Sequence, residues 1–158
     1  MQKSKIVEPA ELPSFCNEIR RSGQTIVFTN GVYDLLHPGH VQCLEEARRL
    51  GSHLIVALNT DESTQRIKGN KRPVMKLNER MEVLAAFSAV GTVTWFDEDT
   101  PEKIIRLVRP DVLVKGADWN SDAVVGKEFV ESYGGQVVSI PILPNYSTSA
   151  IIEKITKS

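Results

Sequence analysis

Two histidines set around a proline and a glycine, His37-Pro38-Gly39-His40, are the residues of this chain best suited to chemistry. They close the stretch Thr29-Asn30-Gly31-Val32-Tyr33-Asp34-Leu35-Leu36, which follows the apolar, β-branched run Thr25-Ile26-Val27-Phe28. An amphipathic run from Val41 to Leu50 comes next, so the spacing predicts a strand, a tight turn and a helix beginning close to Gly39. Such a turn is one way to build an anion site, because the first amides of a helix lack internal partners and point at whatever sits there. Gly39 has no Cβ and permits close approach of backbone and ligand. Pro38 biases His37 towards an extended conformation outside the helix, while His40 falls in the first turn. His37, His40 and Cys43 also invite a zinc reading. Pro38 between the histidines and the lack of a nearby fourth ligand argue against it, and no protein-held metal is expected.

The elements that must position this turn are those of an ordinary globular chain. With 158 residues, 41% hydrophobic and 25% charged, it has enough material for one domain with a sizeable core. A net charge of −1 argues against nucleic-acid binding by bulk electrostatics. Cys16 and Cys43 lack paired spacing, which suggests a reducing compartment. No apolar run approaches the roughly 20 residues of a membrane helix, and the N-terminus lacks the apolar stretch of a signal peptide. The expectation is a cytoplasmic protein with no membrane partner.

Residues 1–24 read as an extended lead-in and a helix from about Pro9 to Arg21 that covers a face or edge of the sheet; residues 25–158 form the main domain. Strands are predicted at Thr25–Phe28, His53–Leu58, Thr92–Phe96, Val112–Val114 and Gln136–Ile140. Between them lie helices after the histidine turn (burying Val41, Leu44, Ala47 and Leu50), after Asn59-Thr60-Asp61-Glu62, after an Asn78 cap, after the Thr100 cap, and around Asp122 to Tyr133. A last helix begins near Ser147-Thr148-Ser149 and is expected to bury Ile151, Ile152 and Ile155. Alternating strands and helices make a single α/β domain of the Rossmann-like kind, an open parallel sheet with helices on both faces. Its ligand belongs at the C-terminal strand ends near the switch in strand order, where Asn30–His40, Asn59–Asp61 and Lys115–Trp119 would gather.

Neither G-x-G-x-x-G nor G-x-x-x-x-G-K-[ST] occurs, which excludes the commoner nucleotide sites. Other residues carry partial signals. Asn30 and Gly31 fit a turn that wraps a ligand backbone-first. Asp34 would orient His37 or a substrate hydroxyl, or make a local turn hydrogen bond. Arg80, in a first helical turn, opposes the helix dipole, and a ligand phosphate would account for the mismatch. Between Arg66 and Lys76 five basic residues occur with no acidic one, so Lys68, Lys71 and Arg72 either grip phosphate or are solvated charge. Trp119 is a nucleoside-pocket residue or an aromatic lid on the core. His53 lacks any such context and reads as structural.

Thr29 to His40 resembles the signature of the cytidylyltransferase-like nucleotidyltransferases, whose mark is H-x-G-H. The resemblance continues through Asn59-Thr60-Asp61-Glu62, Asn78-Glu79-Arg80, Lys115-Gly116-Ala117-Asp118-Trp119 and Ser147-Thr148-Ser149-Ala150-Ile151-Ile152, and so runs from Thr25 to the C-terminus. Arg66-Ile67-Lys68-Gly69 with Arg72-Pro73-Val74, Glu98-Asp99-Thr100-Pro101-Glu102 and Leu113-Val114-Lys115-Gly116-Ala117-Asp118-Trp119 are most similar to the branch that makes ADP-heptose, a precursor of lipopolysaccharide core heptose. A basic residue found before the last helix in glycerol-3-phosphate cytidylyltransferases is absent from Pro141 to Tyr146, which favours the heptose branch.

The resemblance implies in-line attack of a sugar phosphate oxygen on the α-phosphorus of ATP, with magnesium arriving on the nucleotide. It implies catalytic roles for His37, His40 and Arg80, with the histidines as donors to the triphosphate. It implies nucleotide contacts from Thr29, Asn30, Gly31, Gly39, Lys115, Gly116, Asp118, Ser147 and Thr148, and possible substrate or phosphate contacts from Asp34, Asp61, Lys68, Lys71, Arg72 and Trp119. No sugar-kinase segment accompanies these motifs. The expectation is therefore a stand-alone adenylyltransferase, supplied by a separate sugar kinase and assembled as a homodimer or larger oligomer. The alternatives are a CTP-dependent glycerol- or alditol-phosphate cytidylyltransferase and, from another class, a nucleotide-sensing module.

Overall fold

Leu54 to Leu58 is the most apolar run of the chain, and every residue in it is fully buried. It forms the second of five strands: β1 (Ile26–Gly31), β2 (His53–Asn59), β3 (Thr92–Phe96), β4 (Val112–Gly116) and β5 (Gln136–Ile140). A strand covered on both faces needs no polar alternation, and the computed structural model shows why this one has none. The structure describes residues 4–116 and 124–158. All strand pairs are parallel, in the order β3-β2-β1-β4-β5. Strand order therefore reverses between β1 and β4, the position at which open α/β sheets take their ligands.

Among the described residues the α-helices are α1 (Leu12–Arg21), α2 (Pro38–Arg49), α3 (Asp61–Lys68), α4 (Leu77–Ala85), α5 (Glu102–Val108), α6 (Lys127–Ser132) and α7 (Thr148–Thr156). Leu12, Cys16 and Ile19 of α1 join Ile104, Ile105 and Val108 of α5 and Val130 of α6 against Ile26, Phe28, Ile55 and Leu113 on one sheet face. Leu44 and Ala47 of α2 and Leu84 of α4 pack with Val27, Leu54, Val56 and Val114 on the other. The lead-in also reaches the sheet edge, where Ile6 forms a parallel bridge to Val93.

Several boundaries differ from the sequence expectation. β1 runs on through Asn30 and Gly31, which are strand residues rather than turn residues. α4 starts at Leu77, and its N-terminal contact is Lys76 N–H donating to Glu79 Oε2 at 2.9 Å, not an Asn78 cap. α5 starts at Glu102 with Pro101 in the cap position and no side-chain cap from Thr100. Of the helix expected around Asp122 to Tyr133, the described residues hold Lys127–Ser132, and Asp122 lies outside them. Leu50, the C-cap of α2, is exposed and Val41 half-buried; the buried residues of this helix are Leu44 and Ala47. α7 buries none of its residues: Ile151 and Ile152 are half-buried and Ile155 is exposed. Ile151 and Ile155 instead border a hollow with Tyr33, Leu36 and Met75.

Candidate functional site

The histidine turn folds as a cap made by its own side chains. His37 is the N-cap of α2 in an extended conformation (φ −144°). Its Nδ1 accepts from Gly39 N–H at 3.1 Å, and His37 N–H donates to His40 Nδ1 at 3.3 Å. The rings stack with centroids 3.8 Å apart. Both Nδ1 atoms accept, so in the neutral rings the proton of each sits on Nε2, assigned from this hydrogen-bond pattern. Burial lowers the pKa of His37, and burial together with the neighbouring His37 lowers that of His40 to about 4. Both imidazoles are thus neutral Nε2–H donors near neutral pH. Gly39 is required here, because a Cβ would sit 2.9 Å from the His37 ring.

The histidines face a hollow of about 420 Å³ together with Lys68, Arg72, Gly116 and the Ser147-Thr148 start of α7. Two helix N-termini, α2 and α7, thereby meet two basic side chains. Ser147 caps α7 by accepting from Ala150 N–H at 3.0 Å, and Thr148 Oγ1 donates to Leu35 O at 2.9 Å, tying α7 to the histidine turn. Tyr146, which sequence reasoning missed, stacks near His37 with centroids 6.0 Å apart. It lies in an irregular loop after β5 where no periodicity marks it.

A second hollow, of about 360 Å³, lies beside the first over the switch point. Thr29, Asn30 and Gly31 of β1 line it with Lys115 and Gly116 of β4, and Lys68 and Gly116 border both hollows. Lys115 Nζ donates to Asn30 Oδ1, and Thr29 Oγ1 donates to Val114 O at 3.2 Å. Burial lowers the Lys115 pKa to about 8. Asn59, also missed, lines this hollow from the end of β2, and its Nδ2 donates to Ser63 Oγ at 3.0 Å.

The remaining candidates form a scaffold behind the site. Arg80 is 1% exposed; its Nε donates to Met75 O, its Nη1 to Val32 O and Asn59 O, and its Nη2 to the Asp61 carboxylate at 2.7 Å. The dipole mismatch is answered by this internal set, and Arg80 positions the β1 and β2 loops instead of presenting a free phosphate donor. Asp34 orients neither His37 nor a local turn. Its carboxylate accepts from Arg72 Nε, Val74 N–H and Met75 N–H at 2.8–2.9 Å and fastens the basic loop to the end of β1. Asp61 is likewise engaged by Arg80. Lys71 is exposed and borders neither hollow. Arg66 is drawn away to Asp99, at 2.6 Å. His53 is structural, with Nε2 2.8 Å from Thr92 Oγ1 and its ring edge-on to Phe15. Asp118 and Trp119 lie outside the described residues. Among the described residues no group of three or more His, Cys, Asp or Glu side chains is placed to hold a metal, and no helix is long and apolar enough to cross a membrane.

Comparison with known proteins agrees with this geometry. A family model described as cytidylyltransferase-like matches residues 28–154. The bifunctional protein HldE of Hahella chejuensis is 50% identical over 141 residues, covering 89% of this chain and 30% of that protein. HldE of Syntrophotalea carbinolica is 53% identical over 136 residues, covering 86% and 28%. The chain thus spans less than a third of the length of these curated relatives. Among solved structures, a lipopolysaccharide core biosynthesis protein from Thermoplasma volcanium superposes with a TM-score of 0.64 and 29% identity, over 79% of this chain and all of that one. A pantoate-beta-alanine ligase from Francisella tularensis, at 15% identity and a TM-score of 0.62 over 97% of this chain and 78% of that one, shares the fold.

Proposed function

Because this chain belongs to the cytidylyltransferase-like family, we propose that it is an adenylyltransferase. In this reading it joins ATP and D-glycero-β-D-manno-heptose 1-phosphate into ADP-heptose and pyrophosphate. The observation that carries the reading is the pair of neutral Nε2–H imidazoles at the N-terminus of α2, facing a basic hollow that a second helix N-terminus also enters. Likeness to bifunctional HldE proteins supports the heptose branch.

A phosphate monoester has a second pKa of about 6, so the acceptor is largely ionised near neutral pH and needs no strong general base. What the site must supply is position, and donors for charge that builds on the bridging oxygen and the departing pyrophosphate. The histidines, the α2 and α7 amides, Lys68 and Arg72 are that set. An acceptor oxygen forms the new bond to the α-phosphorus as the α–β bridging bond breaks, and both electrons of that bond leave with pyrophosphate. Magnesium supplies charge neutralisation on the phosphates. Asp34 and Asp61 are engaged by Arg72 and Arg80, so phosphate oxygens and water would hold the ion, as suits its small, strongly hydrated character.

We place the reaction in the cytoplasm, take the sugar 1-phosphate to come from a kinase reaction, and expect a homodimer or larger assembly, which light scattering of the purified protein tests. The deciding assay of the reaction is a matrix of ATP and CTP against heptose 1-phosphate and glycerol 3-phosphate, scored by pyrophosphate release. Turnover confined to ATP with the heptose is expected. Turnover confined to CTP overturns the assignment, and nucleotide binding without any turnover would make the chain a sensing module.

A further inference from the structure

The two adjoining hollows differ in chemistry. The one at the histidines has two helix N-termini and is suited to a polyanion. The one over the switch point has amides from Asn30 and Asn59, the Asp99 carboxylate, and the flat apolar surfaces of Phe96 and Pro101. Amides and a carboxylate read hydroxyl groups, and apolar planes receive the C–H face of a sugar. Lys115 enters this second hollow from the end of β4. Among the described residues the only partner of its ammonium group is the neutral amide oxygen of Asn30. The Asp99 carboxylate of the same hollow is taken by Arg66 at 2.6 Å, so among the described residues this half-buried cation has one amide oxygen and no ion-pair partner of the kind that ordinarily accompanies burial.

In-line transfer adds a geometric constraint. The acceptor oxygen must reach the α-phosphorus from the side opposite the departing pyrophosphate. With the leaving group held by the histidine side, the acceptor has to enter from the other hollow, and the two meet at Lys68 and Gly116.

We propose that the hollow over β1, β2 and β4 is the acceptor subsite, and that Lys115, steered by Asn30, holds the phosphate monoester of the sugar against the α-phosphorus. This reassigns Lys115 and Asn30 from nucleotide binding to acceptor selection, and it rests on the adenylyl-transfer reading. The selected substrate class is a polyhydroxylated sugar 1-phosphate, and the cation serves the reaction by placing the nucleophile.

The test compares Lys115→Met and Lys115→Arg with the unmodified protein. It uses titration calorimetry with ATP and with heptose 1-phosphate separately, alongside steady-state pyrophosphate release. Expected for Lys115→Met is an acceptor KM and Kd raised about tenfold or more, an ATP Kd within about twofold, and partial recovery in Lys115→Arg. Equal weakening for ATP and acceptor, or no change in either, overturns the proposal. Failure of the unmodified protein to release pyrophosphate removes the parent reading instead. Acceptor binding is read without turnover, so the two failures are distinguishable.

Discussion

Arg80 and Lys115 are both cations drawn from solvent at the same edge of the sheet, and they are built in opposite ways. Arg80 spends four of its five N–H donors on three carbonyls and the Asp61 carboxylate. Those four bonds bind the β1 loop, the β2 end and the basic loop into one body. Among the described residues Lys115 has only the Asn30 amide oxygen. Burial depresses its pKa to about 8. A cation held by four protein acceptors is a structural part, and one with a single neutral partner beside a hollow is free to meet a ligand there.

Exchanging the two roles by mutation gives the largest contrast. Arg80→Met strands the Asp61 carboxylate, the buried Asn59 carbonyl and the half-buried Val32 and Met75 carbonyls, and should cost about 3–5 kcal/mol in urea unfolding. Lys115→Met removes a poorly compensated charge and should leave the unfolding free energy within about 1 kcal/mol. A mild Arg80 variant, or a crippling Lys115 variant, would erase the distinction. His40→Ala belongs with Lys115: turnover is expected to drop about 10²–10³-fold while circular dichroism and the unfolding midpoint stay near wild type. Near-normal turnover would sink the donor role. Asp34→Ala belongs with Arg80 and should cost about 1–3 kcal/mol, because the amides of Val74 and Met75 lose a carboxylate acceptor. Faster hydrogen exchange at those two amides is the check.

The smallest effect is one of pH. Both His40 and Lys115 have folded pKa values below their unfolded ones, so the unfolded chain binds more protons between the two values and stability rises with pH there. For His40 that window runs from about 4 to 6.5 and for Lys115 from about 8 to 10.5. Stability is lost as pH falls through each window. Thermal melts of His40→Ala and Lys115→Met should flatten the acid and alkaline slopes respectively, and an unchanged slope would contradict the corresponding burial.

Much of the site was legible because its signals are local. Pro38 and Gly39 dictate how a strand can turn into a helix, and the two histidines declare themselves by their spacing. The strands were legible because β2 is apolar throughout. The fates of Asp34 and Arg80 were not, since their partners lie 38–41 and up to 48 residues away in sequence. A charge in the first turn of a helix looks mismatched until the long-range acceptors are seen. The burial of Ile151, Ile152 and Ile155 was overestimated for the related reason that an apolar helical stripe does not say what lies opposite it.

The sequence by itself determined the alternation of strands and helices and the strand-to-helix turn that sets His37 before the helix and His40 in its first turn, because each follows from neighbours within a few residues. The tertiary structure alone decided which charges are structural and which remain available. That choice depends on the strand order, which sets Lys115 beside Asn30 and carries Arg80 to Asp61 and Val32, and strand order arises from packing across the whole sheet.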